Sequence, residues 1–116
     1  MPELSLRYHE VPPISRNEAR AAFRTKDEAA ICAALLSLTF HDPDWRWVQD
    51  QLLQFAKHKS STVRGVAGLC FGHLARIHRQ LDRDVVLPVL RKLADDPETR
   101  GQATDALSDI EIFVRA

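Results

Sequence analysis

An all-α fold is predicted for this 116-residue chain: an α-solenoid of about three helical hairpins preceded by a short extended N-terminal arm. Three observations carry that expectation. Capping residues recur just ahead of stretches with helical apolar spacing, at Ser15, Thr25, Asp42, Asp84 and Asp96. No segment after residue 10 alternates apolar and polar residues as a half-buried strand would. The apolar pattern also repeats. A shift of 36 residues carries Ile31, Ala34, Leu35 and Leu38 onto Ala67, Cys70, Phe71 and Leu74, and a second carries these onto Ala103, Ala106, Leu107 and Ile110. A shift of 37 sets Val48, Leu52, Leu53 and Ala56 on Val85, Val89, Leu90 and Leu93. Two helix classes thus alternate, and hairpins of this kind bury their apolar faces only by stacking.

One domain over residues 1–116 is expected, with an arm at 1–14 and hairpins at 15–40, 42–78 and 84–114. In the arm Leu4, Leu6 and Tyr8 alternate with polar residues, and Pro12-Pro13 forbids a helix. Ser15 and Glu18 form a capping box for a short first helix, Arg16 to Phe23, with Ile14 as a hydrophobic staple. Thr25 and Glu28 repeat the box and open a second helix to Phe40, apolar around most of its circumference and therefore central. Asp42-Pro43 starts a third helix, broken by residues 58–61. A fourth follows from Thr62 to His78, a fifth capped by Asp84 from Val85 to Ala94, and a sixth from Glu98 to about Val114.

Composition narrows the function. Apolar residues make up 45% and charged residues 28%, which is globular rather than disordered. No apolar run reaches the roughly 18 residues of a membrane span, and the first ten residues lack a signal-peptide core, so a cytoplasmic location is expected. Cys32 and Cys70 sit mid-helix among small apolar residues and read as core thiols, not a disulfide. Cys70, His73 and His78 complete no zinc spacing, so neither metal nor cofactor is expected. Asp42 and Asp44 read as helix-start residues, and there is no phosphate loop or nucleophile elbow. Catalysis is not expected.

Binding is the remaining class. The 16 basic and 16 acidic residues cancel, which counts against a nucleic-acid partner, but they are unevenly placed. Residues 42–80 carry six Lys/Arg against three Asp, and residues 81–116 five against eight Asp/Glu. On the sixth helix Asp105 and Asp109 share a face, Glu111 extends the acidity, and the ridge suits a cationic partner such as a nuclease or simply solubilises a terminal repeat. Trp45 reads as core, whereas Trp47 is open between core and interface anchor. Lys57, His58, Lys59, Arg64, Arg76 and Arg79 offer a basic patch, the basis of the alternative nucleic-acid reading. Gly68 and Gly72, four apart, suggest a close helix approach.

The stretch Ser61-Thr62-Val63-Arg64-Gly65-Val66-Ala67-Gly68-Leu69-Cys70-Phe71-Gly72-His73-Leu74 resembles the second helix of a HEAT repeat, and residues 95–103 resemble the same element with its acidic turn. The resemblance covers about residues 26–113. It implies that Arg64 and Arg100 pair with acidic neighbours between repeats. The first repeat departs from the pattern, with Asp27-Glu28 in place of Val-Arg, and reads as a degenerate cap. Residues 41–49 together with 72–78 are further similar to small bacterial HEAT-type immunity proteins, which neutralise the toxin domains of contact-dependent or polymorphic toxin systems. That resemblance implies a protein partner, a toxin domain, met through the second-helix face. Trp47, His73, Arg76, Asp105, Asp109 and Glu111 are the candidate partner-binding residues.

Overall fold

A computed structural model describes residues 11–114 of the chain. Among them are six α-helices and no strands: α1 (Arg16–Phe23), α2 (Glu28–His41), α3 (Trp45–Phe55), α4 (Ser61–His78), α5 (Arg83–Asp95) and α6 (Arg100–Phe113). Consecutive helices pair as hairpins. The second helices α2, α4 and α6 pack side by side in one layer, and α1, α3 and α5 back them. Three hairpins are too few to elongate the molecule. Its radius of gyration is 13.1 Å, close to the ~13 Å of an ordinary domain near this size.

The centre is α4, not α2. It packs against α2, α3, α5 and α6, and Val63, Ala67, Cys70, Phe71 and Leu74 on its inward stripe are fully buried. The α4–α6 contact is the most extensive in the fold, and small residues make it so. Gly65, Gly68 and Gly72 are buried and face α6. A methyl group on Gly72 would stand 3.2 Å from the Cα of Ala106 and 2.8 Å from Oδ2 of Asp109. The close helix approach expected from Gly68 and Gly72 is therefore real.

Five helix starts differ from the sequence expectation, that of α4 by a single residue because Ser60 caps it by accepting from the Val63 amide. Asp27, not Thr25, caps α2 by accepting from the Ala30 amide, while Thr25 closes the preceding turn onto Ala22. Asp44, not Asp42, caps α3. At α5 the N-cap position belongs to Asp82 rather than Asp84, and its carboxylate is turned to Gln49 and Arg46. The sixth helix starts at Arg100 because Asp96-Pro97 opens a separate turn, in which Asp96 accepts from the Glu98 amide and buried Thr99 donates to the Leu93 carbonyl. The capping box of Ser15 with Glu18 is as expected.

Side chains also tie one hairpin to the next. Arg64 donates to the carbonyls of His58 and Lys59 (both 2.9 Å) and to Asp96 of the following hairpin (3.2 Å), whereas Arg100 binds the carbonyls of Ala94 and Asp95 and has no acidic partner among the described residues. Gln49 exchanges two hydrogen bonds with Asp82, at 2.9 and 2.7 Å. Arg16 makes a paired contact with Asp42 at 2.8 and 2.9 Å, and that guanidinium holds the Asp42 carboxyl below the usual carboxylate range. Every buried polar side-chain atom among the described residues has a partner, so the stack is joined without orphaned polar groups.

Of the N-terminal arm, residues 1–10 lie outside the described residues. Residues 11–14 carry no helix, and Val11 is buried. The Pro12 carbonyl accepts from Ser37 (2.8 Å) and that of Val11 from His41 Nε2, which fastens the segment to α2. No helix among the described residues is long and apolar enough to cross a membrane.

Candidate functional site

Four of the six candidate residues come together. His73 and Arg76 on α4 and Asp105 and Asp109 on α6 line a surface cleft of about 330 Å³, completed by Leu69 and Ser108. The cleft follows from helical spacing plus the glycine seam. Residues 69, 73 and 76 form one stripe of α4, residues 105, 108 and 109 one stripe of α6, and Gly72 lets the two helices close until both stripes face one hollow.

His73 anchors the α4 wall. Its ring packs on Phe40 of α2, with centroids 4.9 Å apart, and its Nδ1 accepts a hydrogen bond from Arg76 Nη2 at 2.6 Å. Burial, reinforced by the Arg76 charge, pushes its pKa down to about 4. The imidazole is therefore neutral at physiological pH and acts as an acceptor that orients Arg76. From there Arg76 reaches Asp109, with Nε 4.0 Å from Oδ2. Asp109 is half-buried, while Asp105 is exposed and has no ion pair among the described residues. One arginine faces two carboxylates, so the cleft is net negative. Beyond the cleft lining each helix exposes an isoleucine: Ile77, one turn past His73, is 41% exposed, and Ile112, one turn past Asp109 on its stripe, is 59% exposed.

The other two candidates lie elsewhere. Trp47 stands on α3, in the backing layer, under the guanidinium groups of Arg16 (4.1 Å) and Arg20 (5.7 Å). It is partly buried against the core and clamps α1 to α3. Trp45 is likewise only partly buried, with Arg46 over its ring. Glu111 is exposed on α6 and does not line the cleft. Leu69 and Ser108 were missed by the sequence reading, although both follow from extending the stripes of His73 and Asp105 by helical spacing.

The basic residues of the middle do not form one track. Lys57, His58, Lys59 and Arg64 gather at the α3–α4 turn, and Arg76 lies a further 12 residues along α4, about 18 Å at the helical rise. Arg79 caps α4 and places its guanidinium over Phe113. Among the described residues no group of His, Cys, Asp and Glu is placed to hold a metal ion. Cys32 and Cys70 are both free thiols, Cys70 wholly buried and pushed up to about 12.

No protein-family model matches the chain, and no curated protein is significantly similar to it. A solved structure is. The chain superposes with a TM-score of 0.80 on a chain from the crystal structure of a CDI complex from Cupriavidus taiwanensis. The two are 32% identical, and the match covers 94% of this chain and 96% of that one. With identity at that level over nearly the whole of both chains, this protein belongs to the family of that CDI-complex component.

Proposed function

We propose that the protein is an immunity protein of a contact-dependent inhibition system, which binds a cognate toxin domain and neutralises it in the cytoplasm of the producing cell. The observation that carries this reading is the α4–α6 cleft, considered together with kinship to a component of a CDI complex. Two carboxylates on one rigid helix, flanked by exposed Ile77 and Ile112, give the mixture of charge complementarity and apolar anchor that a protein interface uses. A nuclease toxin must carry a cationic surface to hold its substrate, and a net negative cleft meets such a surface. In the same reading the stack is HEAT-like, with Arg64 and Asp96 as its inter-repeat ladder, and the protein acts by occlusion and not by catalysis. A neutral His73 already spent on orienting Arg76 supports that role.

The test is binding to the toxin domain encoded beside this protein, by calorimetry, with growth protection on co-expression. Asp105→Lys should weaken binding by about 2 kcal/mol or more, since it removes one attraction and adds a repulsion. Arg91→Glu, on the exposed face of α5, should not. Wild-type protein that neither binds nor protects refutes the reading, and an unaffected Asp105→Lys moves the interface off the cleft.

A further inference from the structure

We propose that the hollow between the α3–α4 turn and α5 is a second binding site, for a phosphate-bearing ligand of nucleotide size. The hollow measures about 500 Å³, inside the about 300–1,000 Å³ range of small-molecule sites. Lys57 and Lys59 reach it from the turn and Lys92 from α5, so its charge is assembled from two separate stretches of chain. The one carboxylate in the lining is Asp96, and it is already occupied: Oδ2 accepts from Arg64 at 3.2 Å and Oδ1 from the Glu98 amide at 3.0 Å. The three lysines, by contrast, have no ion pair among the described residues. Ammonium groups held around one concavity without a counter-charge make a positive focus.

The rest of the lining narrows the ligand. Ala56, Val89 and Leu93 supply an apolar wall, and the His58 ring, backed by Phe55 at 6.1 Å, stands beside it. A simple inorganic anion leaves that surface uncovered. A phosphate ester with a flat organic body satisfies both parts, its phosphate among the lysines and its ring on the apolar wall. Carboxylate recognition favours a free arginine fork, and Arg64 is already bound to two carbonyls and Asp96. Lysine point charges suit a phosphate dianion. Since the hollow belongs to the backing layer and the acidic cleft to the α2–α4–α6 layer, the site is separate from the proposed toxin contact.

The experiment is a titration of the full chain at low salt, followed by the amide resonances of residues 57–59 and Lys92, with uridine 5′-monophosphate, uridine, inorganic phosphate and a hexaglutamate peptide as probes. The monophosphate should shift those resonances saturably, and uridine should not. The double variant Lys59→Gln/Lys92→Gln should weaken the monophosphate by about tenfold while leaving the thermal melt unchanged, because both side chains are exposed and unpaired. A short oligouridylate that binds more tightly at the same resonances supports the site and identifies a nucleic-acid strand as the phosphate source. Inorganic phosphate matching the monophosphate overturns the nucleotide-sized assignment. So do uridine binding equally well, hexaglutamate binding more tightly, an insensitive double variant, or no saturation by about 10 mM.

Discussion

Replacing Gly72 by alanine asks whether the α4–α6 seam is set by backbone contact. In an unencumbered helix interior the change stabilises by up to about 1 kcal/mol, because glycine loses more backbone entropy on folding. Here the new methyl meets two neighbours. Asp109 Oδ2, at 2.8 Å, ends a flexible side chain and can swing aside, giving up its approach to Arg76. The Cα of Ala106, at 3.2 Å, cannot, so α6 must retreat by a few tenths of an ångström along the most extensive contact in the fold. Overpacking of that kind costs about 1–3 kcal/mol, which leaves a net loss of about 1 kcal/mol and about 4 °C in Tm. Gly101 supplies the control. It is exposed near the start of α6 with nothing within 4 Å of an added methyl, so Gly101→Ala should gain about 0.5 kcal/mol. Urea unfolding followed by circular dichroism measures both variants against wild type. If Gly72→Ala is as stable as Gly101→Ala, close packing is not what glycine provides at position 72.

Three further outcomes follow from single groups. His73 titrates near 4 when folded against an ordinary 6.5. Between those values the unfolded chain therefore holds the extra proton, and stability falls as pH drops from about 6.5 towards 4; His73→Leu should flatten that limb of a urea-midpoint profile, apart from the smaller contribution of His78, shifted the same way. At pH 8 a maleimide should modify half-buried Cys32 slowly and Cys70 only as fast as the protein opens, which mass spectrometry of partly labelled protein resolves. Arg79 closes α4 at φ 55°, a left-handed conformation that glycine adopts without penalty, so Arg79→Gly should stabilise by about 0.5 kcal/mol after losing the Phe113 contact; a lower denaturation midpoint would show that the contact outweighs the strain.

The helices were legible because periodicity and capping chemistry are local. Where the reading slipped, two residues able to cap stood within two or three positions of each other, and contacts outside the helical pattern set which of them the helix used. Asp42 is drawn off by Arg16 of α1, leaving Asp44 to cap α3. Asp82 is claimed by Gln49 and Arg46 and still takes the N-cap position from Asp84. The site divides in the same way. Asp105 with Asp109, and His73 with Arg76, are i, i+4 and i, i+3 pairs that helical spacing places on one face. That the pairs share one cleft depends on the Gly72 contact, which crosses between helices. Trp47 was ambiguous because its partners, Arg16 and Arg20, lie about thirty residues away in sequence. Lys92 carried no signal that it shares a hollow with Lys57 and Lys59, since the 37-residue shift aligns it with Phe55.

Zero net charge misleads as a guide to partners when opposite charges occupy different layers. The α4–α6 cleft sets Asp105 and Asp109 against Arg76, and the hollow between the α3–α4 turn and α5 sets three lysines and Arg64 against Asp96. At physiological salt the Debye length is about 8 Å, shorter than the separation along α4 between Arg64 and Arg76, so each field acts on its own neighbourhood. A partner then meets a local sign and not the total. Rigidity matters equally. The glycine seam fixes the spacing of the two helices that line the cleft, and the Arg64–Asp96 contact ties the α3–α4 turn to the end of α5, so the backbones of both lining sets are in place before any partner arrives. That is what separates a preformed interface from a surface that merely keeps a repeat protein dissolved, and mutating the seam at Gly72 should therefore weaken partner binding even though the glycine itself presents no side chain to the partner.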